Sequence, residues 1–173
     1  MKTMEAAIWY NPDLTQIING EEIMSPSPKT PHQRASRKLL RILEDYVETN
    51  NLGELFNAPF DVIFEEGVNS LQPDLFFVAK QNEHIIQDWI RGVPDLVVEI
   101  ISKSNFRLDT VVKKKIYERY GVKEFWIVFP EKASIEIYSL VNEKYELSGT
   151  FSDDEQVRSP LLASLSFKVN AII

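Results

Sequence analysis

Gly92-Val93-Pro94-Asp95-Leu96-Val97-Val98-Glu99-Ile100-Ile101-Ser102 is the stretch on which the fold turns. From Leu96 to Ile101 every residue is apolar except Glu99. Short, β-branched and richly apolar, Pro94 to Ile101 reads as a strand covered on both faces. An ionised glutamate in such a run needs a partner, because a buried charge without one is too costly. Strand alternation sets Asp95 and Glu99 on one face and Leu96, Val98 and Ile100 on the other.

Upstream, Leu71 to Ala79 (LQPDLFFVA) reads as a second strand of the same kind, and it too carries Pro-Asp-Leu, with Asp74 at its opening. If the two strands are neighbours, Asp74 and Glu99 converge, and two carboxylates so close call for a cation. The chain has no cysteine and only His32 and His84, so thiolate catalysis, disulfides and His- or Cys-rich metal centres are excluded. Oxygen ligands remain, which suits Mg²⁺, with Mn²⁺ possible, held by Asp74, Glu99 and the backbone carbonyl of Ile100. Downstream, Asp109 to Tyr120 reads as a helix stopped by Gly121. On it Lys113 lies one turn after Asp109, and Tyr117 one turn further along the same face. A lysine there can reach over the strand end toward the acids. Hydrolysis of a phosphodiester needs these parts, a metal on the phosphate and a cation for the charge that develops.

The flanks complete an α/β order. Thr15–Ile18 and Glu21–Met24 read as a hairpin across Asn19-Gly20. Thr30-Pro31 reads as a capped helix start, and from His32 to Glu48 apolar residues recur at helical spacing. Glu54–Phe56 and Phe60–Phe64 read as strands, and a short helical piece is expected over Ile85–Ile90. Glu124–Phe129 is a strand, Ser134–Val141 and Tyr145–Phe151 a hairpin, and Pro160–Ile173 an apolar tail that packs back. A helix between the strands at 94–101 and 124–129 makes them parallel within a mixed sheet. At 173 residues, with no repeats or long linker, a single domain over 1–173 is expected.

The net charge of −7 excludes a protein that coats nucleic acid through overall basicity, but not an enzyme with acidic metal ligands and local basic residues. No run is long and apolar enough to span a bilayer, and Met1 to Glu5 leads into no signal-peptide core, so no membrane association and a cytoplasmic location are expected.

Gln72-Pro73-Asp74-Leu75, then Gly92 to Ser102, then Asp109, Lys113, Tyr117, Gly121-Val122 and Glu124 to Val128 together resemble the Uma-type putative restriction endonuclease family, within the PD-(D/E)xK nuclease superfamily. Asn19-Gly20-Glu21, Met24 to Pro28 and His32 resemble its N-terminal pattern, so the likeness runs through nearly the whole chain. The resemblance implies a restriction-endonuclease-like core, a mixed β-sheet flanked by helices, and a Mg²⁺-dependent DNA endonuclease. Asp74 and Glu99 would match the metal-binding acids, and Lys113 a catalytic lysine moved from the position of Ile101 onto the next helix. The chain departs from the pattern at Gln16, Lys103 and Phe129. None of these is a proposed ligand, though the missing carboxylate at position 16 could weaken an auxiliary contact.

Other readings stand beside these: Asp74 after Pro73 as a simple strand or turn cap, and Glu99 paired with a structural lysine or arginine. Asp95 reads as structural, satisfying a loop amide or a lysine. Lys115 is the fallback for Lys113, His32 fits a substrate or a structural role equally, and Glu44 reads as solvent-exposed. Basic residues cluster at 103–119 and at Arg34, Arg37, Lys38 and Arg41, as solubilising faces or as phosphate contacts. A homodimer would suit double-strand cleavage. The rival function is a catalytically inactive nuclease-fold binding or assembly module; a nucleotide-binding reading is disfavoured because no Gly-rich phosphate loop is present.

Overall fold

The computed structural model describes residues 14–102 and 104–173; the readings placed on Met1 to Glu5 and on Lys103 lie outside them. In chain order the elements are β1 (Thr15–Ile18), β2 (Glu21–Met24), α1 (Thr30–Thr49), β3 (Gly53–Asn57), β4 (Val62–Glu65), β5 (Asn69–Leu71), β6 (Leu75–Ala79), β7 (Ile90–Arg91), β8 (Leu96–Ile100), α2 (Lys114–Tyr120), β9 (Glu124–Phe129), β10 (Ser134–Val141), β11 (Lys144–Ser152), β12 (Gln156–Arg158) and β13 (Ser166–Lys168). The main sheet runs β11-β10-β9-β8-β6-β3, and a second runs β2-β1-β5-β4-β7. Within the main sheet only β8 and β9 pair in parallel. The fold class is α/β with mixed sheets.

β8 explains the architecture. All five of its residues are buried, because both faces of the main sheet are covered. Leu96, Val98 and Ile100 pack toward α1 (Ala35, Leu39, Leu43, Val47) and the tail residues Leu165, Phe167 and Ile172. Val97 faces the opposite layer, with Phe125 and Ile127 of β9, Tyr117 of α2 and Val62 and Leu71 of the second sheet. Each fully buried aliphatic side chain here contributes about 1.5–3 kcal/mol. Glu99 shares the face of Val97, so it points toward α2.

Three sequence expectations are corrected. Leu71 to Ala79 is not one strand: Pro73, lacking an N–H, ends the ladder, and β5 and β6 belong to different sheets. Asp74 therefore stands in the turn between the sheets. The helical piece lies at Lys80–Ile85 as a 3₁₀ turn, and Ile90 instead pairs with Val62 as part of β7. Thr30 does not cap α1; Lys29 occupies the cap position without a side-chain bond, and Pro31 sits in the first turn. Among the described residues no helix is long and apolar enough to cross a membrane.

Candidate functional site

β6 and β8 are antiparallel neighbours in the register Leu75↔Val98. One residue further along that register, Asp74 faces Glu99 across the sheet end. The Asp74 carboxylate is anchored twice: Oδ2 accepts from the Ile100 N–H at 2.7 Å, and Oδ1 lies 3.0 Å from Nε2 of His32 on α1. The engaged backbone group of Ile100 is thus its amide, while the residue itself lines the cleft.

Glu99 meets its partners from the next helix. Lys113 Nζ donates to Oε1 at 3.1 Å and Oε2 at 3.2 Å, and the Tyr117 hydroxyl donates to Oε1 at 2.5 Å. The turn that presents Lys113 is π-helical over Leu108–Lys113 and becomes α-helical only at Lys114. Such wide turns recur where side chains must be re-aimed, and this one brings Asp109 inward with Lys113. Asp109 Oδ1 is 3.2 Å from Lys113 Nζ, yet it has no aligned hydrogen bond and is buried. Phe64 and Phe125 hold the Tyr117 ring from two sides.

Burial pushes the Glu99 carboxyl up to about 8, against the pull of Lys113, and the charges of Asp109 and Asp74 add to the rise. Asp109 is raised for the same reason, burial first and Asp74 next, with Lys113 opposing. For Lys113, burial disfavours the ammonium, but Glu99, Asp109 and Asp74 outweigh it and keep the proton firmly bound. His32 is likewise raised: burial lowers it, and the bond to Asp74 more than compensates. Three acids stand near one ammonium, and their mutual repulsion is part of what raises Glu99 and Asp109.

These groups line a cleft of about 310 Å³ with Gln16, Gln72 and Asn105 on its walls. Its donor set fits a hard divalent cation: the atoms are oxygens, and Asp109 Oδ1 is a buried acceptor without a hydrogen bond. Among the described residues no three His, Asp or Glu side chains already stand in ion-holding geometry, because Glu99 and Asp109 are both drawn onto Lys113.

Asp74, Glu99, Ile100 and Lys113 thus meet at one place. Lys115 is exposed and Glu44 lies on the outer face of α1, away from the cleft. Asp95 is buried at the far end of β8, where it accepts from Ala79 N at 2.8 Å, Asn82 Nδ2 at 2.9 Å and Lys123 Nζ at 2.6 Å. Asp95→Ala is expected to cost about 2–3 kcal/mol of stability, since it strands a buried amide. Urea unfolding measures this, and a variant that melts early yet keeps wild-type activity per folded molecule places Asp95 outside the chemistry. Gln16 is buried in the cleft wall, its amide donating to Ser25 Oγ at 2.6 Å and accepting from Gln72 N at 2.9 Å. The amide both donates and accepts, which an ionised carboxylate at position 16 cannot do.

In the sequence Asp109 marks the helix start, favours Lys113 over Lys115 by its spacing and forms part of the family resemblance, but it is not named there as a site acid. Its i,i+4 spacing to Lys113, which sets both side chains on one helix face, was the available signal for a third acid.

The family model Uma2, described as "Putative restriction endonuclease", matches residues 9–170. No curated protein matches the chain. Among solved structures, a putative nuclease belonging to DUF820 from Anabaena variabilis superposes with a TM-score of 0.75 at 19% identity, over 94% of this chain and 90% of the other. At that identity the likeness is one of fold.

Proposed function

The chain belongs to the Uma2 family of putative restriction endonucleases, and from that premise we propose that it hydrolyses phosphodiester bonds of DNA with Mg²⁺, or Mn²⁺ in its place, at the cleft of Asp74, Glu99 and Lys113. The observation that carries the reading is the buried Glu99 carboxylate, held by Lys113 at 3.1 Å and facing Asp74 at the mouth of an open cleft. A carboxylate used only for stability has no need of a second and third acid beside it.

Asp74, Glu99 and the Ile100 carbonyl would hold the ion. When bound, it polarises the phosphate and makes water a hydroxide source at neutral pH. Lys113 brings a fixed positive charge to the non-bridging oxygens and to the attacking water. Asp109 keeps that ammonium charged and aimed. Tyr117 fixes the carboxylate plane of Glu99 through a phenol whose proton burial and Glu99 hold in place. His32 fixes Asp74. Two such chains related by a two-fold would cut both strands.

Because Lys113 and Tyr117 engage both Glu99 oxygens, the alternative of an inactive nuclease-fold binding module has a physical basis. Plasmid incubated with the protein separates the two. Conversion of supercoiled DNA to nicked or linear forms in Mg²⁺ or Mn²⁺, and none in EDTA, is the expected result. Intact plasmid in every divalent metal tried leaves the binding module.

A further inference from the structure

We propose that Arg34 and Arg37, on the outer face of α1, form a phosphate-binding track that leads the DNA backbone into the cleft. The inference rests on the nuclease reading above for the identity of the polyanion, and on independent geometry for the residues.

The cleft continues into a groove of about 450 Å³ along α1. Pro28, Gln33, Ser36 and Asn57 line both, and Arg34 and Arg37 line the groove alone. The two arginines are exposed, and among the described residues neither guanidinium has a carboxylate at ion-pair distance. Lys38, their neighbour, donates its ammonium to the Ile173 carbonyl and is engaged elsewhere.

The placement is unfavourable for the helix itself. α1 has no acid in its first turn and no base in its last, while Arg34, Arg37 and Lys38 lie in its first half, Arg41 just past the middle, and Glu44, Asp45 and Glu48 follow. That order opposes the macrodipole, and Arg34–Lys38 and Arg37–Arg41 are like-charge pairs at i,i+4. Arg34 and Arg37, with no carboxylate partner among the described residues and bordering the cleft, are placed to be completed by an external anion. The anion they suit is phosphate, which a guanidinium fork binds bidentately. Locality matters because the whole chain, at −7, repels DNA.

The test is anisotropy of a fluorescent DNA duplex titrated with protein in EDTA, between roughly 50 and 200 mM salt. Arg34→Gln/Arg37→Gln is expected to weaken binding on the order of tenfold and to flatten the plot of log K against log salt by about 2. Arg158→Gln/Lys168→Gln removes the same charge from the exposed β12–β13 hairpin and is expected to leave both unchanged. Both double variants should fold and melt no lower than the wild type by more than a degree or two, since all four side chains are exposed. Wild-type affinity and slope in Arg34→Gln/Arg37→Gln, an equal loss in the hairpin variant, or no binding of duplex by the wild type each overturns the track. Cleavage in Mg²⁺ keeps the two readings apart. A wild type that binds through the arginines but never cuts sinks the nuclease and leaves the track. A wild type that cuts, with the Arg34/Arg37 variant binding and cutting equally well, does the reverse.

Discussion

Lys113→Ala is expected to silence cleavage and to lower the melting temperature in the same variant. The ammonium is almost wholly enclosed and serves two acids at once, Glu99 at 3.1 Å and Asp109 at 3.2 Å. Removing one partner of a buried ion pair strands the other, which costs about 3–5 kcal/mol. For a chain of this size that is a drop of roughly 10 °C or more. A surface lysine in the same run, Lys115, should cost almost nothing when replaced. The stability loss should be recovered in part by Glu99→Leu/Lys113→Met, which removes both charges and keeps volume, whereas activity should not return. Differential scanning calorimetry and plasmid cleavage read the two effects. An alanine variant that melts within a degree or two of wild type and still cuts makes Lys113 a bystander.

Glu99→Gln carries the second large effect. The amide keeps the shape of the side chain and the bond from Tyr117, but it is a poor ligand for a hard cation. Cleavage should fall by about a thousandfold or more, equivalent to about 4 kcal/mol of barrier. Wild type should be stabilised by Mn²⁺, by about 2.7 kcal/mol at a hundred times the dissociation constant, and Glu99→Gln should lose most of that gain. A pH signature accompanies it. Burial raises the folded carboxyl to about 8 from its ordinary 4.5, so the folded chain retains a proton that the unfolded chain releases. The stability contributed by this group is present in full below the unfolded value and declines as pH rises through the folded one. Wild type should therefore lose stability between about pH 4.5 and pH 8 by a component that the glutamine variant lacks. Parallel stability curves for the two proteins would remove Glu99 as the source.

Much of the site is legible in the amino-acid sequence. A carboxylate in the apolar run 96–101 demanded a partner, and the strand period said which face it took. Lys113 and Tyr117, one turn apart, followed from the helical period and Gly121 as its stop. Asp109 served to favour Lys113 and proved to be a third acid itself; helical spacing put it on the right face, but its burial against Lys113 depends on how the turn over Leu108–Lys113 packs. His32 could not be assigned between a structural and a substrate role, since nothing local connects it to an acid 42 positions downstream; its bond to Asp74 at 3.0 Å depends on how α1 packs on the main sheet.

Periodicity and the cost of burying a charge are local properties, and they were enough to determine the two-faced β8 strand, the mixed α/β class and the need of Glu99 for a cationic partner; that Lys113 itself makes that contact came from the tertiary structure. What the tertiary structure alone decided is non-local: that the run 71–79 breaks at Pro73 between two sheets, that β6 lies beside β8 with Asp74 opposite Glu99, and that α1 sets His32 in the cleft and Arg34 and Arg37 in the groove that adjoins it. Strand partners and helix docking are chosen by the apolar surface of the whole chain buried at once, a sum that no short window of sequence contains.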